Sequence, residues 1–491
     1  MTCIIRSLLF GAAVSAFAAP ASAVTVNFFR NPLDTSFPGS VFPDIRYPVD
    51  VKAADLDGDT DLDLVVSVTH FAGTGEGIYW YENDGAFAFT KTLIDTMLVD
   101  ADMDGVRMDV ADIDDDLDRD IVLCGANRLY LYTNDGGGTF TRNTIDATTG
   151  TLRLAAIADL DGDLDEDVAL LANGGLFWLQ NDGAETFTRF TIDTNPVVDF
   201  ALAAVDLDAD SDIDIVSSTL DVPSGNRYFA WYENLGGGTF FRHVFDVLQG
   251  TEDVANVFVA DVDRDGLLDI TVARLTENSI WWYEDTGSHV YSPHVVTTTF
   301  SESPSRVWVT DLDNDSDQDI VAVGGGNTSG EVAYWENNGV QTFTYHSIDA
   351  TVGRRQGLFV VDIDQDSVDD LLVTDAFPSE LVWYDNLGTG TAVGNTPTSA
   401  RVQIHPNVPN PFNPSTTIGF EVSPAGGVDV DVFSPAGAKV RTLVHESLDA
   451  GTHEVRWDGR DDAGRRVASG VYIARVRAHG VSRTHKMLLL M

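Results

Sequence analysis

DLDGDLDED, residues 159–167, reads Asp-x-Asp-x-Asp-x-x-x-Asp, and this nine-residue stretch decides the fold because it returns six more times. The other copies are DLDGDTDLD from Asp55, DIDDDLDRD from Asp112, DLDADSDID from Asp206, DVDRDGLLD from Asp261, DLDNDSDQD from Asp311 and DIDQDSVDD from Asp362. Start-to-start spacings are 57, 47, 47, 55, 50 and 51 residues, and positions 1, 3, 5 and 9 are Asp in every copy. A recurring period in this range is the signature of a repeat architecture.

Each copy has the same surroundings. An alternating apolar run such as VWVTDLD (307–313) precedes it, and a short apolar run such as DIVAV (319–323) follows. An aromatic segment ending in an Asn or Asp turn comes next: YWYEND from Tyr79, FWLQND from Phe177, WWYED from Trp281, VWYDN from Val382. FTKTLID, FTRNTID, FTRFTID and FTYHSID close most units. Period-2 segments rich in β-branched and aromatic residues, bounded by Gly, Asn and Asp, predict four strands per unit and no helix of note. Seven such units predict an all-β fold, a seven-bladed β-propeller. The seventh unit lacks its fourth strand, whereas VTVNFFRNPLD (24–34) resembles FTRFTID, so the N-terminal strand is expected to complete the last blade and close the ring.

Carboxylates at alternate positions of a tight loop converge and repel unless a cation lies between them. Side chains at 1, 3 and 5 with a carbonyl at 7 form the oxygen-ligand pattern of a calcium loop, here closed by a carboxylate at 9. Oxygen donors without Cys or His select Ca²⁺ over zinc or copper. The motif resembles the calcium loops of integrin α-subunit propellers and of FG-GAP/VCBS-type repeats over about 24–391. The resemblance implies that the side chains at 1, 3, 5 and 9 and the carbonyl at 7 hold up to seven structural Ca²⁺. In loops one to four these positions are Asp55, Asp57, Asp59, Asp61 and Asp63; Asp112, Asp114, Asp116, Asp118 and Asp120; Asp159, Asp161, Asp163, Asp165 and Asp167; Asp206, Asp208, Asp210, Asp212 and Asp214. In loops five to seven they are Asp261, Asp263, Asp265, Leu267 and Asp269; Asp311, Asp313, Asp315, Asp317 and Asp319; Asp362, Asp364, Asp366, Val368 and Asp370. The chain departs from that family in lacking Phe-Gly-Gly-Ala-Pro, in having Gly at position 6 only as Gly266, and in placing Arg264 within loop five.

The 491 residues carry 29 Lys+Arg and 77 Asp+Glu, a formal net charge of −48. Residues 24–391 hold 17 basic and 68 acidic groups, a net of −51, while 392–491 are nearly neutral at +2. Such acidity argues against nucleic acid and against anionic lipid as partners. The first 23 residues, MTCIIRSLLFGAAVSAFAAPASA, read as a signal peptide with Arg6 in the basic region and Ala21-Ser22-Ala23 at the cleavage site. No transmembrane segment is expected in the mature chain. After cleavage only Cys124 remains, so no internal disulfide is available.

No catalytic motif stands out: there is no Gly-x-Ser-x-Gly, no His-Glu-x-x-His and no phosphate-binding glycine loop. The ten histidines read as scattered, and none is taken to recur within the repeats. Trp80, Trp178, Trp231, Trp282, Trp335 and Trp383 are expected to pack between blades rather than stack on sugars. The unequal insertions 70–77, 221–227 and 325–330 are the better candidates for a binding face.

A Pro/Thr/Ser-rich linker (391–402) leads to a module at 403–491 whose short alternating segments predict an immunoglobulin-like β-sandwich. Pro409-Asn410-Pro411-Phe412-Asn413-Pro414, Trp457-Asp458-Gly459 and Gly470-Val471-Tyr472 give it a close resemblance to the C-terminal sorting domain of type IX secretion substrates and its flagellar hook-capping relative. That resemblance implies export through the secretion machinery to the outside or the outer cell surface. The expectation is a secreted or surface, calcium-stabilised propeller that binds protein or glycan, without enzymatic activity. An extracellular polysaccharide-active enzyme with its site in the channel or loop face is the alternative, and a purely structural surface-layer component is the third.

Overall fold

A computed structural model describes residues 26–35, 37, 46–70, 77–85, 89–96, 107–125, 128–146, 151–195, 201–221, 225–248, 253–300, 303–325, 330–350, 353–376 and 379–389. In the C-terminal module it describes 401–404, 407, 409–423, 426–434, 439–448, 451–461, 464–478 and 481–490. The signal peptide (1–23) and linker residues 391–400 lie outside the described residues, as do 71–76, 222–224 and 326–329 within the insertions.

Seven four-stranded antiparallel sheets follow one another from 46 to 389, and no helix occurs among the described residues. They are numbered here as sheet 1 (46–95), sheet 2 (107–146), sheet 3 (152–193), sheet 4 (202–248), sheet 5 (254–297), sheet 6 (304–349) and sheet 7 (355–389). Chain order equals spatial order in sheets 1 to 6. In sheet 7 the outermost strand is Val26–Asp34, paired with Ser379–Thr389. The N-terminal strand thus completes the last sheet, as the missing fourth segment implies.

The sequence explains the position of each strand. Second strands such as Asp120–Cys124 and Asp167–Ala172 are apolar after their first Asp and buried at every residue. Outer strands such as Phe187–Asp193 alternate apolar with Thr and Arg and are half exposed. Innermost strands touch in the cycle sheet 1 through sheet 7 and back to sheet 1. The core is correspondingly divided among the interfaces between neighbouring sheets. Leu56, Val65 and Trp80 of sheet 1 pack on Ile121, Leu123 and Tyr132 of sheet 2, and Ile363, Leu372 and Trp383 of sheet 7 pack on Val51, Leu64 and Val66 of sheet 1. The fold is a propeller with no free sheet face at either end.

A clasp at the outer rim joins most neighbours. At five of the seven junctions an Asp at or near the end of the outer strand accepts a Tyr hydroxyl and faces a cation from the next sheet, while between sheets 2 and 3 Leu179 stands in the Tyr position and Asp146 meets Arg189 alone, at 2.7 Å. Asp34 takes Tyr81 at 2.7 Å and Lys91 at 2.6 Å, and Asp193 takes Tyr232 at 2.7 Å with Arg242 at 3.4 Å. Asp349 takes Tyr384 at 2.6 Å and Arg30 at 3.3 Å. The junction of sheets 5 and 6 has Thr297 in place of the Asp and Trp335 in place of the Tyr.

All six of the repeated tryptophans are buried, from 2% to 7% exposed, as packing between sheets requires. Two glycines show how tightly. Gly138 and Gly238 have φ of +73° and +67°, and a Cβ on either would overlap the ring of Trp80 or Trp178 in the preceding sheet. Gly238→Ala is expected to cost roughly 2–4 kcal/mol, combining left-handed strain with overpacking. Gly237→Ala, at φ +62° with nothing within 4 Å, carries the strain alone, about 1 kcal/mol. Equal losses in thermal melts of the two variants would remove the packing argument.

The C-terminal module is a sandwich of a three-stranded sheet (Arg401–Ile404, Thr416–Ser423, Gly451–Trp457) and a four-stranded sheet (Gly426–Phe433, Lys439–Leu448, Gly470–Ala478, Val481–Leu489). Its first strand begins inside the stretch read as linker. Phe412, Trp457, Tyr472, Met487 and Leu489 share one core. Backbone bonds from Phe412 N–H to the Leu488 carbonyl and from Leu490 N–H to the Phe412 carbonyl, both 2.9 Å, pin the Pro-Phe segment to the last strand.

Candidate metal centres

The seven Asp motifs all connect an innermost strand to the second strand of its sheet. In a four-stranded antiparallel meander that turn shares an end with the third-to-outer turn. All seven loops therefore lie on one face, and the unequal insertions, which join second to third strands, flank the other.

One hydrogen-bond scheme recurs in every loop. The position-1 carboxylate accepts the N–H of position 6, between 2.8 and 3.0 Å. The position-5 carboxylate accepts the N–H of position 7, between 2.8 and 3.1 Å. These bonds draw the loop round its carboxylates. They also hold position 6 in the left-handed region in all seven, with φ from +73° to +91°. Only loop five meets this with glycine, Gly266. The others use Thr60, Leu117, Leu164, Ser211, Ser316 and Ser367, a strained choice that the surrounding bonds over-determine. The buried apolar residue at position 2, such as Leu56 or Leu160, anchors the loop in the core between sheets.

Position 9 has a second task. Asp63, Asp120, Asp167, Asp214, Asp269, Asp319 and Asp370 are fully buried. One oxygen of each accepts the N–H of position 2, from 2.9 to 3.3 Å. The other accepts the N–H of the residue ending the third strand, at 2.7 or 2.8 Å. That residue is Asn except in sheet 5, where it is Asp285. In sheets 2, 3, 4, 6 and 7 the Asn amide donates onward to the position-2 carbonyl of the preceding sheet's loop, as Asn134 does to Leu56 at 2.7 Å, Asn234 to Leu160 at 2.8 Å and Asn386 to Leu312 at 2.9 Å. The loops are thereby coupled from sheet to sheet, a role the sequence signalled only by the recurrence of Asn in the aromatic strand.

The carboxylates do converge. In loops one, four and five, oxygens of positions 1, 3 and 5 lie within 4.8 Å of one another, and in loops two and three the set is positions 1, 3 and 9. Buried oxygens of Asp114, Asp161 and Asp313, all at position 3, have no hydrogen-bond partner. Orphaned carboxylate oxygens in a cluster of acids are what a hard cation satisfies, so the donor set fits Ca²⁺. Burial raises Asp63, Asp167 and Asp214 to about 6, Asp120 and Asp269 to about 7, and Asp319 and Asp370 to about 8, against the pull of their backbone donors. An adjacent divalent ion would keep such groups ionised.

Position-7 side chains turn elsewhere. The carboxylates of Asp61, Asp118, Asp165 and Asp317 abut Gly85, Gly136, Gly183 and Gly339 of the neighbouring turn, which leaves position 7 only its carbonyl for an ion. Arg264 points out of loop five: it is half exposed and 3.8 Å from Asp317 of loop six. Three of the ten histidines do recur within the repeats. His243, His294 and His346 occupy the same place in three successive outer strands, each paired with a Glu of the third strand, Glu233, Glu284 and Glu336, at 2.6 to 2.8 Å. The varied contexts FFRHVFD, YSPHVVT and FTYHSID conceal that register.

Residues 112–170, 206–272, 261–322 and 311–373 match the FG-GAP-like repeat, and 407–481 match the FlgD Ig-like domain. No curated protein matches the chain. Similar solved structures include an Agrocybe aegerita lectin that recognises non-reducing terminal N-acetylglucosamine, 19% identical, covering 63% of this chain and 81% of its own, TM-score 0.46. The Dos1 propeller is 10% identical, with 73% and 95% covered and TM-score 0.46. PorZ, a surface component of the type IX secretion system of Porphyromonas gingivalis, is 13% identical, with 88% and 74% covered and TM-score 0.36. No helix among the described residues is long and apolar enough to cross a membrane. The chain carries four FG-GAP-like repeats in an all-β propeller and an FlgD Ig-like domain at its C-terminus.

Proposed function

We propose that the protein is a secreted or outer-surface, calcium-stabilised binding and adhesion module for an extracellular protein or glycan, without enzymatic activity. The observation that carries this reading is the division of labour between the two faces. One face is spent on seven near-identical Asp loops fastened to each other through the core. The other carries the insertions of unequal length, and recognition resides in loops on a rigid scaffold. Positions 1, 3, 5 and 9, with the carbonyl at 7, would hold each ion, which supplies cohesion to the loop and takes no part in a reaction. The leader-like start, with Arg6 ahead of its apolar run, and the C-terminal module support export, and the type IX sorting role of that module is part of the proposal. A glycan and protein array probed with the mature chain tests it. Calcium-dependent retention of a defined ligand is the expected result, and turnover of a polysaccharide by the same protein would overturn the non-enzymatic reading.

A further inference from the structure

The innermost strands line the central channel, and their residues there are unequal. Val51, Met108, Val257, Val307 and Leu358 point into the cores between sheets. Their chain neighbours on the opposite strand face therefore line the channel. One layer, three residues before the motif, contains Phe258, Trp308 and Phe359 side by side, with Lys52 and Asp109 completing it beside two alanines. Trp308 lies 4.6 Å from Phe258 and 5.3 Å from Phe359, ring to ring, and all three are partly exposed. Lys52 and Asp109 pair at 3.3 Å with side chains 24% and 30% exposed, so solvent reaches this layer.

The next layer, two residues earlier and toward the face with the insertions, holds Asp50, Arg107 and Arg306, which are 7%, 8% and 9% exposed. Arg107 donates to carbonyls of Val49 in sheet 1 at 3.1 Å and Gln356 in sheet 7 at 3.4 Å. This brings its charge toward Arg306, whose Nη1 donates to the Ala255 and Ser305 carbonyls at 3.3 and 2.9 Å. No carboxylate of the described residues lies within 4 Å of the Arg306 guanidinium. Burial and the neighbouring Arg107 push Arg306 down to about 9.

The acids of the channel are already committed. Asp50 accepts the Met108 N–H at 3.1 Å, and Asp109 serves Lys52 and, at 3.2 Å, the Ile157 N–H. Among the described residues of these two layers, Lys52, Arg107 and Arg306 stand against Asp50 and Asp109, one cation in excess, inside a propeller that is otherwise strongly acidic. A buried charge lacking a counter-ion is costly, and a guanidinium presents a planar fork suited to an oxyanion.

We infer that this end of the channel binds a monoanionic sugar, a uronate or a sulfate ester, with its anionic oxygens on Arg306 beside Arg107 and its ring against Trp308. A single surplus charge matches one anionic group, and the aromatic wall one layer deeper supplies an apolar surface for the ring that bears it. The inference rests on the glycan side of the proposed function and names its ligand class.

Titration calorimetry of the full mature chain with a glucuronate-terminated oligosaccharide, its glucose 6-sulfate counterpart and the neutral glucose oligosaccharide tests it. At least one acidic probe should bind about tenfold more tightly than the neutral one, and the two acidic arms separate carboxylate from sulfate ester. Arg306→Gln should abolish that preference, whereas Trp308→Ala should weaken acidic and neutral probes alike. Thermal shift gives an independent readout on the unmodified protein: the preferred acidic sugar should raise its melting temperature and the neutral one should not. Equal binding of acidic and neutral probes, or a preference that survives in Arg306→Gln, overturns the channel site. Neutral glycans retained on an array with no acidic preference would overturn this site alone, and retention of no glycan would remove both it and the glycan reading.

Discussion

Treating the protein with EGTA should lower its melting temperature by on the order of 10 °C, and added NaCl should not restore it. Extracellular calcium sites bind at roughly 10⁻⁴–10⁻³ M. At ten times that constant one ion adds about 1.4 kcal/mol, and seven add about 10, comparable to the net stability of a whole domain. Spread over roughly 360 residues at about 2 cal/mol/K each, that energy gives the stated shift. Seven divalent ions change the charge of 24–391 only from −51 to −37. Their effect is therefore local coordination, which salt screening cannot replace.

Two substitutions in loop three separate the ion from the scaffold. Asp161 has one orphaned buried oxygen and another taken by the Gln180 amide at 2.5 Å. Asp161→Asn should cost roughly 1 kcal/mol in calcium and almost nothing in EGTA, since it also relieves repulsion by Asp163. Asp167→Ala should cost roughly 3–5 kcal/mol in either buffer, because it orphans the buried N–H groups of Leu160 and Asn181. Calorimetry showing no calcium uptake, with melting indifferent to chelator, would sink the metal assignment and leave position 9 as a purely structural acid.

The propeller was legible because its signals are local. Nine residues carry the loop, and the period-2 pattern of FTRFTID also identifies 24–34 as the missing strand. What escaped involves two repeats at once. The rim clasp joins an outer-strand Asp to a Tyr and a cation of the next sheet, such as Asp34, Tyr81 and Lys91. Each member recurs at a fixed place in its own repeat, but the contact joins one repeat to the next, so comparing repeats does not reveal it. The Glu–His pairs were missed for another reason: cross-strand register, not sequence neighbourhood, brings His243 to Glu233. Position 6 shows a third kind of gap. Propensity demands glycine for a left-handed residue, yet Leu117 and Leu164 occupy it at 88% and 83% exposure. The position-1 carboxylate holds the backbone there, and propensity yields to it.

Deleting Val26–Asp34 should destabilise the whole ring instead of fraying one edge. This strand pairs with Ser379–Thr389 along most of its length. It also ties two junctions. Toward sheet 6, Arg30 reaches Asp349 at 3.3 Å and Glu380 of its own sheet at 2.9 Å, while the Val26 N–H donates to the Tyr334 hydroxyl at 3.0 Å. Toward sheet 1, Asp34 binds Tyr81, and Lys91 lies 4.2 Å from the ring of Phe37, just beyond the strand. Its loss would leave sheet 7 with an open edge, and an open strand edge is a template for aggregation. The expected outcome is a single transition lowered by about 10 °C or more, or an insoluble product. Arg30→Gln is the graded control: it removes partly exposed ion pairs while keeping the strand, and should cost about 1 kcal/mol without aggregation. A deletion variant that melts at the original temperature would show that the ring holds without its N-terminal strand, and closure would then rest on the packing of innermost strands alone.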